Sequence, residues 1–154
     1  MARLKRTSPA AGLGDPIREP IFTPRFVIAL VLMLGGLGWV VYYYVGVRPD
    51  QVGGDPSGPA KIGDLAGWNY VIGFGAFFLG LLSSAHPKTP LGRGRGVVVG
   101  MLGCFLLGLL WICTFYVFSN DLSPVPVMND LGQKNLVVGI ALMASGFIFA
   151  TRWE

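Results

Sequence analysis

Residues 64–84 of this chain, DLAGWNYVIGFGAFFLGLLSS, decide its fold because a related segment, DLGQKNLVVGIALMASGFIFA, follows at residues 130–150. The two segments align without a gap at an offset of 66, and the identical pairs are Asp64/Asp130, Leu65/Leu131, Asn69/Asn135, Val71/Val137, Gly73/Gly139 and Gly80/Gly146. Matching aspartate, asparagine and glycine positions indicate more than a shared apolar composition. We therefore predict an internal repeat, with convergence of two apolar segments as the alternative.

A weaker match precedes each of these segments. GLGW at residues 36–39 aligns with GLLW at residues 108–111 at an offset of 72, so the loop inside the first copy is six residues longer. Each copy then consists of two helices that run in opposite directions. Because both copies begin and end on the same side, they form a parallel repeat and not an inverted one.

Four stretches without charged residues predict transmembrane helices over residues 26–47, 65–85, 97–118 and 135–151. About 20 helical residues, rising about 1.5 Å each, cross a hydrocarbon core about 30 Å thick, so the last stretch is short. Over the whole chain 53% of residues are hydrophobic and 13% are charged, whereas soluble domains have roughly 25% charged residues. The predicted fold is an all-α membrane protein of two tandem helical hairpins. A soluble protein with four buried helices is the alternative.

The positions of lysine and arginine predict the orientation of these helices. If the amino terminus is cytoplasmic, the outer loops hold Arg48, Lys61 and Lys134, and the cytoplasmic segments hold Arg3, Lys5, Arg6, Arg18, Arg25, Lys88, Arg93, Arg95 and Arg152. Short segments rich in positive charge stay in the cytoplasm. We therefore predict a multi-pass protein of the plasma membrane with both termini cytoplasmic.

The chain divides into four parts. Residues 1–24 form a basic, proline-rich cytoplasmic tail, which we expect to be disordered unless a partner holds it. Residues 25–87 form the first hairpin, residues 88–96 a basic cytoplasmic loop, and residues 97–154 the second hairpin. A cleaved signal peptide does not explain the first 50 residues, because their apolar run has 22 residues. The apolar core of a signal peptide has roughly 7–15 residues and is followed by an A-x-A-like cleavage site, which is missing here.

Few residues offer chemistry. The four predicted spans contain no ionisable side chain of the kind that marks a proton or ion path. His86 is the single histidine, and Cys104 and Cys113 face different sides of one helix because they are nine residues apart. The glycine-rich loop at residues 91–96 lacks the strand and the Gly-Lys-Ser/Thr that a phosphate-binding loop requires. We therefore predict no catalytic, cofactor or metal site, no small-molecule substrate and no nucleic-acid partner.

Small residues predict close contacts between helices. Lipid provides no hydrophobic force that brings helices together, so glycine and other small residues mark the faces that approach. The predicted helix-packing or partner-binding positions are Gly73, Gly80, Gly96, Gly100, Gly108, Gly139 and Gly146. The sequence leaves open whether these positions contact helices of the same chain or a helix of another protein.

Two further roles are predicted at the ends of the helices. Asn69 and Asn135 lie where an outer loop meets a helix, and each is expected to cap its helix or to bond to the first helix near Trp39 or Trp111. At the cytoplasmic side, lipid headgroups are the expected contacts of Arg93, Arg95, Arg152 and Trp153.

One family shares these features. Asp130-Leu131-Gly132, followed by Asn135, by Gly139 and Gly146, and by Thr151-Arg152-Trp153, resembles the carboxyl-terminal helix of the actinobacterial CrgA family. Trp68-Asn69-Tyr70 followed by Gly73 resembles the same segment. The two copies divide the motif between them. The aromatic pair beside the asparagine occurs only in the first copy, and the closing Arg-Trp occurs only in the second.

The resemblance implies a function. Family members typically have one hairpin with both ends in the cytoplasm, take part in septum formation, and bind the tubulin-like division protein and cell-wall synthases without catalysing a reaction. The leading hypothesis is therefore a non-catalytic accessory or scaffold subunit of a larger plasma-membrane complex, which by resemblance acts in cell division. Its partners would be other integral membrane proteins and anionic lipids. An association factor of the actinobacterial respiratory-chain supercomplex is the alternative, and a small transporter is less favoured.

Overall fold

The computed structural model of the chain describes residues 23–48 and 58–152. These residues form six α-helices: α1 Pro24–Gly46, α2 Ala60–Gly63, α3 Trp68–Ser84, α4 Arg95–Val117, α5 Met128–Leu131 and α6 Lys134–Ala150. No strand occurs among them, so the predicted all-α fold is confirmed over the described part of the chain. The tail residues 1–22 and Trp153, for which the sequence predicts a cytoplasmic tail and a headgroup contact, lie outside the described residues.

Two helical hairpins build the fold. α1 packs along α3 in the first hairpin, α4 packs along α6 in the second, and the hairpins meet mainly through α3 and α6. One apolar cluster contains residues of both hairpins: Leu81 and Ala85 come from the first, and Val97, Leu142 and Phe149 come from the second. The two hairpins therefore share a core.

Equivalent glycines hold each hairpin together near one end. A methyl group placed on Gly80 would lie 2.6 Å from the carbonyl oxygen of Ala29, and one placed on Gly146 would lie 3.1 Å from that of Met101. Gly80 and Gly146 are 66 residues apart, and Ala29 and Met101 are 72 apart, which are the two offsets of the sequence repeat. The contacts are therefore repeated together with the residues that make them.

A second glycine contact lies nearer the other end of each hairpin. A methyl group on Gly73 would lie 2.9 Å from the carbonyl oxygen of Gly36, and one on Gly108 would lie 2.8 Å from that of Gly139. At these points the backbones of the two helices touch, which the absence of a side chain permits. The duplication seen in the sequence thus extends to the contacts between helices.

The start of α1 follows from two neighbouring residues. Thr23 accepts a hydrogen bond from the backbone N–H of Phe26 at 3.3 Å. Pro24 occupies the first helical position, where a backbone N–H would have no partner within the helix. The first hairpin therefore begins at a defined residue.

The connection between the hairpins, residues 85–94, folds back on the end of α3. Thr89 is fully buried, and its hydroxyl lies against the carbonyl oxygens of Ser84 and His86. The same hydroxyl accepts a hydrogen bond from the N–H of Gly92 at 3.2 Å, at the start of a short 3-10 turn over Pro90–Gly92. This buried threonine fixes the path of the chain into α4.

The described charges separate to the two ends of the molecule. The basic end, at the starts of α1 and α4 and the ends of α3 and α6, carries no described carboxylate and is formed by Arg25, His86, Lys88, Arg93, Arg95 and Arg152. The other end is called the acidic end because it holds all the described carboxylate side chains. It has three carboxylates and three cations: Asp64, Asp121, Asp130, Arg48, Lys61 and Lys134. These two names are used below.

Helix length distinguishes the two helices of each hairpin. α1 and α4, of 23 residues each, are long enough and apolar enough to cross a membrane, whereas α3 and α6 are apolar but shorter. The sequence predicts a span from residue 65, yet α3 begins at Trp68. The intervening residues form a turn in which Ala66 has φ 42. Both second helices therefore have 17 residues, although the sequence predicts a short span only for the last.

Candidate partner-binding groove at the junction of the hairpins

A buried asparagine organises the acidic end of the first hairpin. Asn69 is fully buried near the start of α3. Its side-chain amide donates hydrogen bonds to the carbonyl oxygens of Ile62 at 2.8 Å and Ala66 at 3.0 Å. The side chain therefore fastens α2 and the turn that follows it to the start of α3.

The second hairpin repeats this arrangement. Asn135 is also fully buried, and its amide donates to the carbonyl oxygens of Met128 and Gly132, both at 2.8 Å. Each of these residues lies 66 positions after its counterpart in the first hairpin. Gly132 has φ 50, so the turn before α6, like the turn before α3 at Ala66, contains a residue with positive φ.

The helix caps expected from the sequence are not formed. Neither α3 nor α6 has a side-chain cap, because the asparagines donate to carbonyl oxygens and do not accept from the helix N–H groups. Among the described residues neither asparagine bonds to Trp39 or Trp111 themselves, although the side chain of Asn69 interacts with the hydroxyl of Tyr43 on α1, one turn from Trp39. The Oδ1 atoms of both asparagines and the Nε1 atoms of both tryptophans are buried without a hydrogen-bond partner in the described structure. Each hairpin thus leaves an acceptor and a donor unpaired at equivalent positions, and the second hairpin also leaves Oδ1 of Asn129 without a partner.

A polar network joins the two hairpins at the acidic end. The guanidinium of Arg48, after α1, donates to Oδ1 of Asp130 in α5 at 2.5 Å. The hydroxyl of Tyr70 in α3 donates to Oδ2 of the same carboxylate at 2.6 Å. One aspartate of the second hairpin therefore binds two segments of the first, the residue that follows α1 by two positions and α3.

A third polar contact supports this junction. The amide of Asn129 donates to the hydroxyl of Tyr44 at 3.2 Å. The guanidinium carbon of Arg48 lies 3.9 Å above the centre of the Tyr44 ring, a cation–π arrangement. The same arginine thus makes an ion pair across the junction and a ring contact within its own hairpin.

Aromatic rings continue the junction towards the middle of the helices. Tyr43 and Tyr70 meet edge to face with ring centres 5.2 Å apart. Phe74 of α3 and Trp111 of α4 meet in the same way, with ring centres 6.0 Å apart. The second of these contacts crosses from one hairpin to the other.

A groove of about 320 Å³ lies between α3 and α6 beside this network. Its α3 side includes Val71, Phe74 and Phe78, and its α6 side includes Val137 and Ala141. The exposed fractions of Val71 and Val137 are 54% and 66%, so both walls are open to the surroundings. The groove is therefore an apolar surface on which no other described part of the chain packs.

Two small or polar positions complete the groove. Gly75 lies in its wall, and a methyl group placed there would meet no other atom within 4 Å. Lys134 stands at its acidic end, with Asp130 beside it. The groove can thus accept a larger side chain and offers a positive charge at one end.

Six of the seven predicted glycine positions contact the other helix of the same hairpin, and Gly96 contacts the connection between the hairpins. Gly73 and Gly80 face α1, while Gly108, Gly139 and Gly146 lie between α4 and α6. Of the other two predicted glycines, Gly100 faces the ring of Phe149 and Gly96 faces the backbone of Pro90. The structure thus favours the interpretation in which these positions hold each hairpin together over the one in which they receive a foreign helix.

The remaining predicted positions lie elsewhere. Arg93, Arg95 and Arg152 are at the basic end, far along the helices from the junction. Cys104 is buried and Cys113 is exposed on α4, so the two thiols have different environments. Arg48 and Tyr70 are absent from the predicted sites, because the contacts they make depend on how two hairpins dock.

Comparison with known proteins identifies the family. The model of the family "Cell division protein CrgA" matches residues 16–88 and again residues 86–154. A Cell division protein CrgA of Streptomyces avermitilis is 39% identical over 72 residues, which cover 47% of this chain and 81% of the relative. A second, of Corynebacterium aurimucosum, is 33% identical over 77 residues with the same two coverages, 47% and 81%. No solved structure matches.

The two family matches divide the chain where the structure does. The first contains α1 to α3 and the second contains α4 to α6, so each match contains one hairpin with its glycine contacts and its buried asparagine. Because the matches together run from residue 16 to residue 154, the chain belongs to the CrgA family of cell division proteins and carries the family's unit twice, as a tandem duplication.

Proposed function

We propose that this protein is a septation factor, a non-catalytic scaffold that joins other membrane proteins at the site of cell division. The match of both hairpins to a cell-division family carries this proposal. The relatives are named for cell division, and neither name supports the alternative role in a respiratory supercomplex. In this proposal the two hairpins act as one rigid body that presents a shared surface.

The scaffold is proposed to cross the plasma membrane four times with both termini in the cytoplasm. α3 and α6, with 17 residues each, span about 26 Å at about 1.5 Å per residue. That length is slightly below the usual hydrocarbon thickness of about 30 Å, and a local thinning of the bilayer accommodates the difference. The concentration of cations at the basic end supports its placement on the cytoplasmic side.

The groove between α3 and α6 is the proposed seat of a partner's transmembrane helix. Its walls are apolar and exposed, and Gly75 leaves room for a close approach of another backbone. Lys134 at the acidic end favours a partner that carries a carboxylate near the outer end of its helix. A lipid chain in the same groove is the competing occupant.

Site-directed photocrosslinking in growing cells tests this function. A photoreactive residue in place of Val71 or Val137 should crosslink to a membrane protein of the division machinery, because both side chains face the groove. The same residue at Leu106, which is 64% exposed on α4 outside the groove, serves as the control. Equal crosslinking at all three positions, or crosslinks to lipid alone, would refute the groove as a protein seat.

A variant that fills the groove separates partner binding from folding. Gly75→Leu adds a side chain at a position where a methyl group would meet no atom within 4 Å and that opens into the groove, so the free energy of unfolding in detergent should change little. The variant should nevertheless lose its companion protein and leave the septum, as seen with a fluorescent fusion. Retention of septal localisation together with wild-type companions contradicts the proposed seat.

A further inference from the structure

A second cleft lies at the basic end, well away from the groove. It has a volume of about 330 Å³ and is lined by Arg25, Ile28, Leu82, Ser83, His86 and Arg152. The last of these residues follows α6, and the others belong to α1, α3 and the connection after α3. The cleft is therefore built by both hairpins.

The cleft concentrates positive charge without a described counter-charge. Arg25 and Arg152 line it, Lys88 lies close by, and the described residues of the basic end include no carboxylate. Cations gathered in one place repel each other, so such an arrangement costs free energy unless an anion is present. A bound negatively charged ligand would attract these cations and so offset the cost of their mutual repulsion.

His86 gives a second, independent indication of an anion. Nη1 of Arg25 lies 2.9 Å from its Nε2, and the backbone N–H of Lys88 points at its Nδ1 at 3.1 Å. A neutral imidazole has one N–H and one acceptor nitrogen, so it can accept at only one of these two positions. If Nδ1 accepts from Lys88, the N–H at Nε2 faces a guanidinium N–H, and two donors oppose each other. An anionic oxygen that enters the cleft beside this pair, with the two side chains moving slightly apart, would accept from both.

The shape of the cleft indicates which anion fits. Ile28 and Leu82 lie on the apolar side, with exposed fractions of 58% and 40%, next to the charged groups. A free phosphate would use the charged part alone, whereas a phospholipid would use both parts. We propose that the cleft binds an anionic phospholipid, with its phosphodiester held by Arg25, His86 and Arg152 and its acyl chain along Ile28 and Leu82.

The site has a built-in pH dependence. Partial desolvation and then the positive charges of Arg25, Lys88 and Arg152 lower the pKa of His86. A bound phosphodiester stabilises the imidazolium and raises this pKa, so binding takes up a proton. By linkage, the lipid then binds more tightly as the pH falls through the pKa of the bound state. The phosphodiester itself keeps its charge throughout.

The test uses the full chain, purified in a zwitterionic detergent and titrated with fluorescent phosphatidylglycerol. Wild-type protein should bind this lipid and not phosphatidylcholine. Arg25→Gln/Arg152→Gln should weaken binding about tenfold or more, because two charge-assisted hydrogen bonds are lost. Arg93→Gln/Arg95→Gln removes the same charge from the same end without altering the residues that line the cleft. It should weaken binding less than Arg25→Gln/Arg152→Gln does, because these two arginines contribute to lipid binding only the general headgroup contact expected at this end.

Other outcomes overturn the proposal. Equal losses in the two double variants would show diffuse attraction to a charged surface, and no loss in either would show that the cleft is not used. Inorganic phosphate that displaces the fluorescent lipid at equal concentration would assign the site to a free anion. None of these measurements requires a protein partner, so they are independent of the proposed scaffold function.

The pH dependence of lipid binding tests the role of His86. Binding by the wild type should tighten severalfold from about pH 8 to about pH 6, across the ordinary pKa range of histidine. His86→Gln keeps a polar side chain but cannot be protonated, and its binding should be independent of pH over this range. A wild type without pH dependence would contradict the assigned role of His86.

Discussion

The two hairpins make the same contacts within themselves, but their residues differ at the junction between them. Within each hairpin, the glycine contacts and the buried asparagine recur at offsets of 66 and 72 residues. At the junction, by contrast, the counterpart of Tyr70 is Leu136, and that of Asn129 is Gly63. The residues that fold a hairpin are therefore shared, and the residues that join the hairpins are not.

This difference has a structural consequence. Asp130 binds Arg48 and Tyr70, whereas its counterpart Asp64 is exposed at the surface. Within the described part of the chain Asp64 has no equivalent partners, and residue 136, the counterpart of Tyr70, is a leucine that cannot donate a hydrogen bond. The duplicated units thus form a specific, asymmetric pair and not two interchangeable copies.

The largest expected effect concerns the shared orientation of the hairpins. In a background without Cys104 and Cys113, a cysteine in place of Ser57 or Ser123 should react with an impermeant maleimide on intact cells. A cysteine at Lys88 should react only after lysis. Lys88 is exposed, whereas its neighbour Thr89 is buried and unsuitable for labelling. Labelling at only one of the two outer positions would show that the hairpins are inverted relative to each other.

The glycine contacts should differ in strength between the hairpins. Gly80→Ala should lower the free energy of unfolding by about 2–3 kcal/mol, because the added methyl group would meet the backbone of Ala29. Gly146→Ala should cost about 1 kcal/mol, since its methyl would lie farther from the backbone of Met101. Gly103→Ala, where no atom lies within 4 Å, is the control. Denaturant unfolding in detergent provides the measurement, and equal costs at the first two positions would contradict this ranking.

The asparagines should behave alike. Asn69→Ala and Asn135→Ala each remove two hydrogen bonds to carbonyl oxygens and should each cost about 1–2 kcal/mol of unfolding free energy. Gln133→Ala, at an exposed position that makes no cap, should change it little. Full stability of either asparagine variant, with loss of a companion protein, would show that the asparagine serves a partner and not the hairpin.

The ion pair at the junction should make a smaller contribution. A double-mutant cycle with Arg48→Gln and Asp130→Asn should give a coupling of about 1 kcal/mol or less. The two side chains retain 25% and 27% exposure, so solvent screens part of their attraction. Asp64→Asn is the matched control and should have no effect. A cost at Asp64 as large as that at Asp130 would remove the asymmetry between the hairpins.

The smallest expected effect lies at the left-handed turns. Ala66 has φ 42 where the second hairpin has Gly132, and this conformation strains a residue with a Cβ by about 1–2 kcal/mol. Ala66→Gly should therefore raise the free energy of unfolding by about 0.5 kcal/mol after the entropic cost of glycine, about 0.5–1 kcal/mol, is subtracted. Gly132→Ala should lower it. A stabilising Gly132→Ala would show that the two turns are not equivalent.

Periodicity and repetition predicted the interior of the hairpins but not their junction. The spacing of Asn69 and Asn135 predicted equivalent roles, yet it did not predict that their amides would bind carbonyl oxygens. The GLGW match aligns Gly36 with Gly108. Because Gly108 was predicted as a packing position, this alignment could have predicted the contact between Gly36 and Gly73. Arg48 and Asp130 are 82 residues apart, and no local pattern relates them, because their contact depends on how separate hairpins dock.

The short connection at residues 85–94 has a thermodynamic consequence of its own. Two separate hairpins would associate according to their abundance in the membrane. Joined by ten residues, of which Thr89 is fixed in the interior, each hairpin meets the other at an effective concentration in the range of about millimolar or above. Association of the hairpins is then a first-order event that is independent of how much protein the cell makes, whereas occupation of the groove by a partner still varies with dosage.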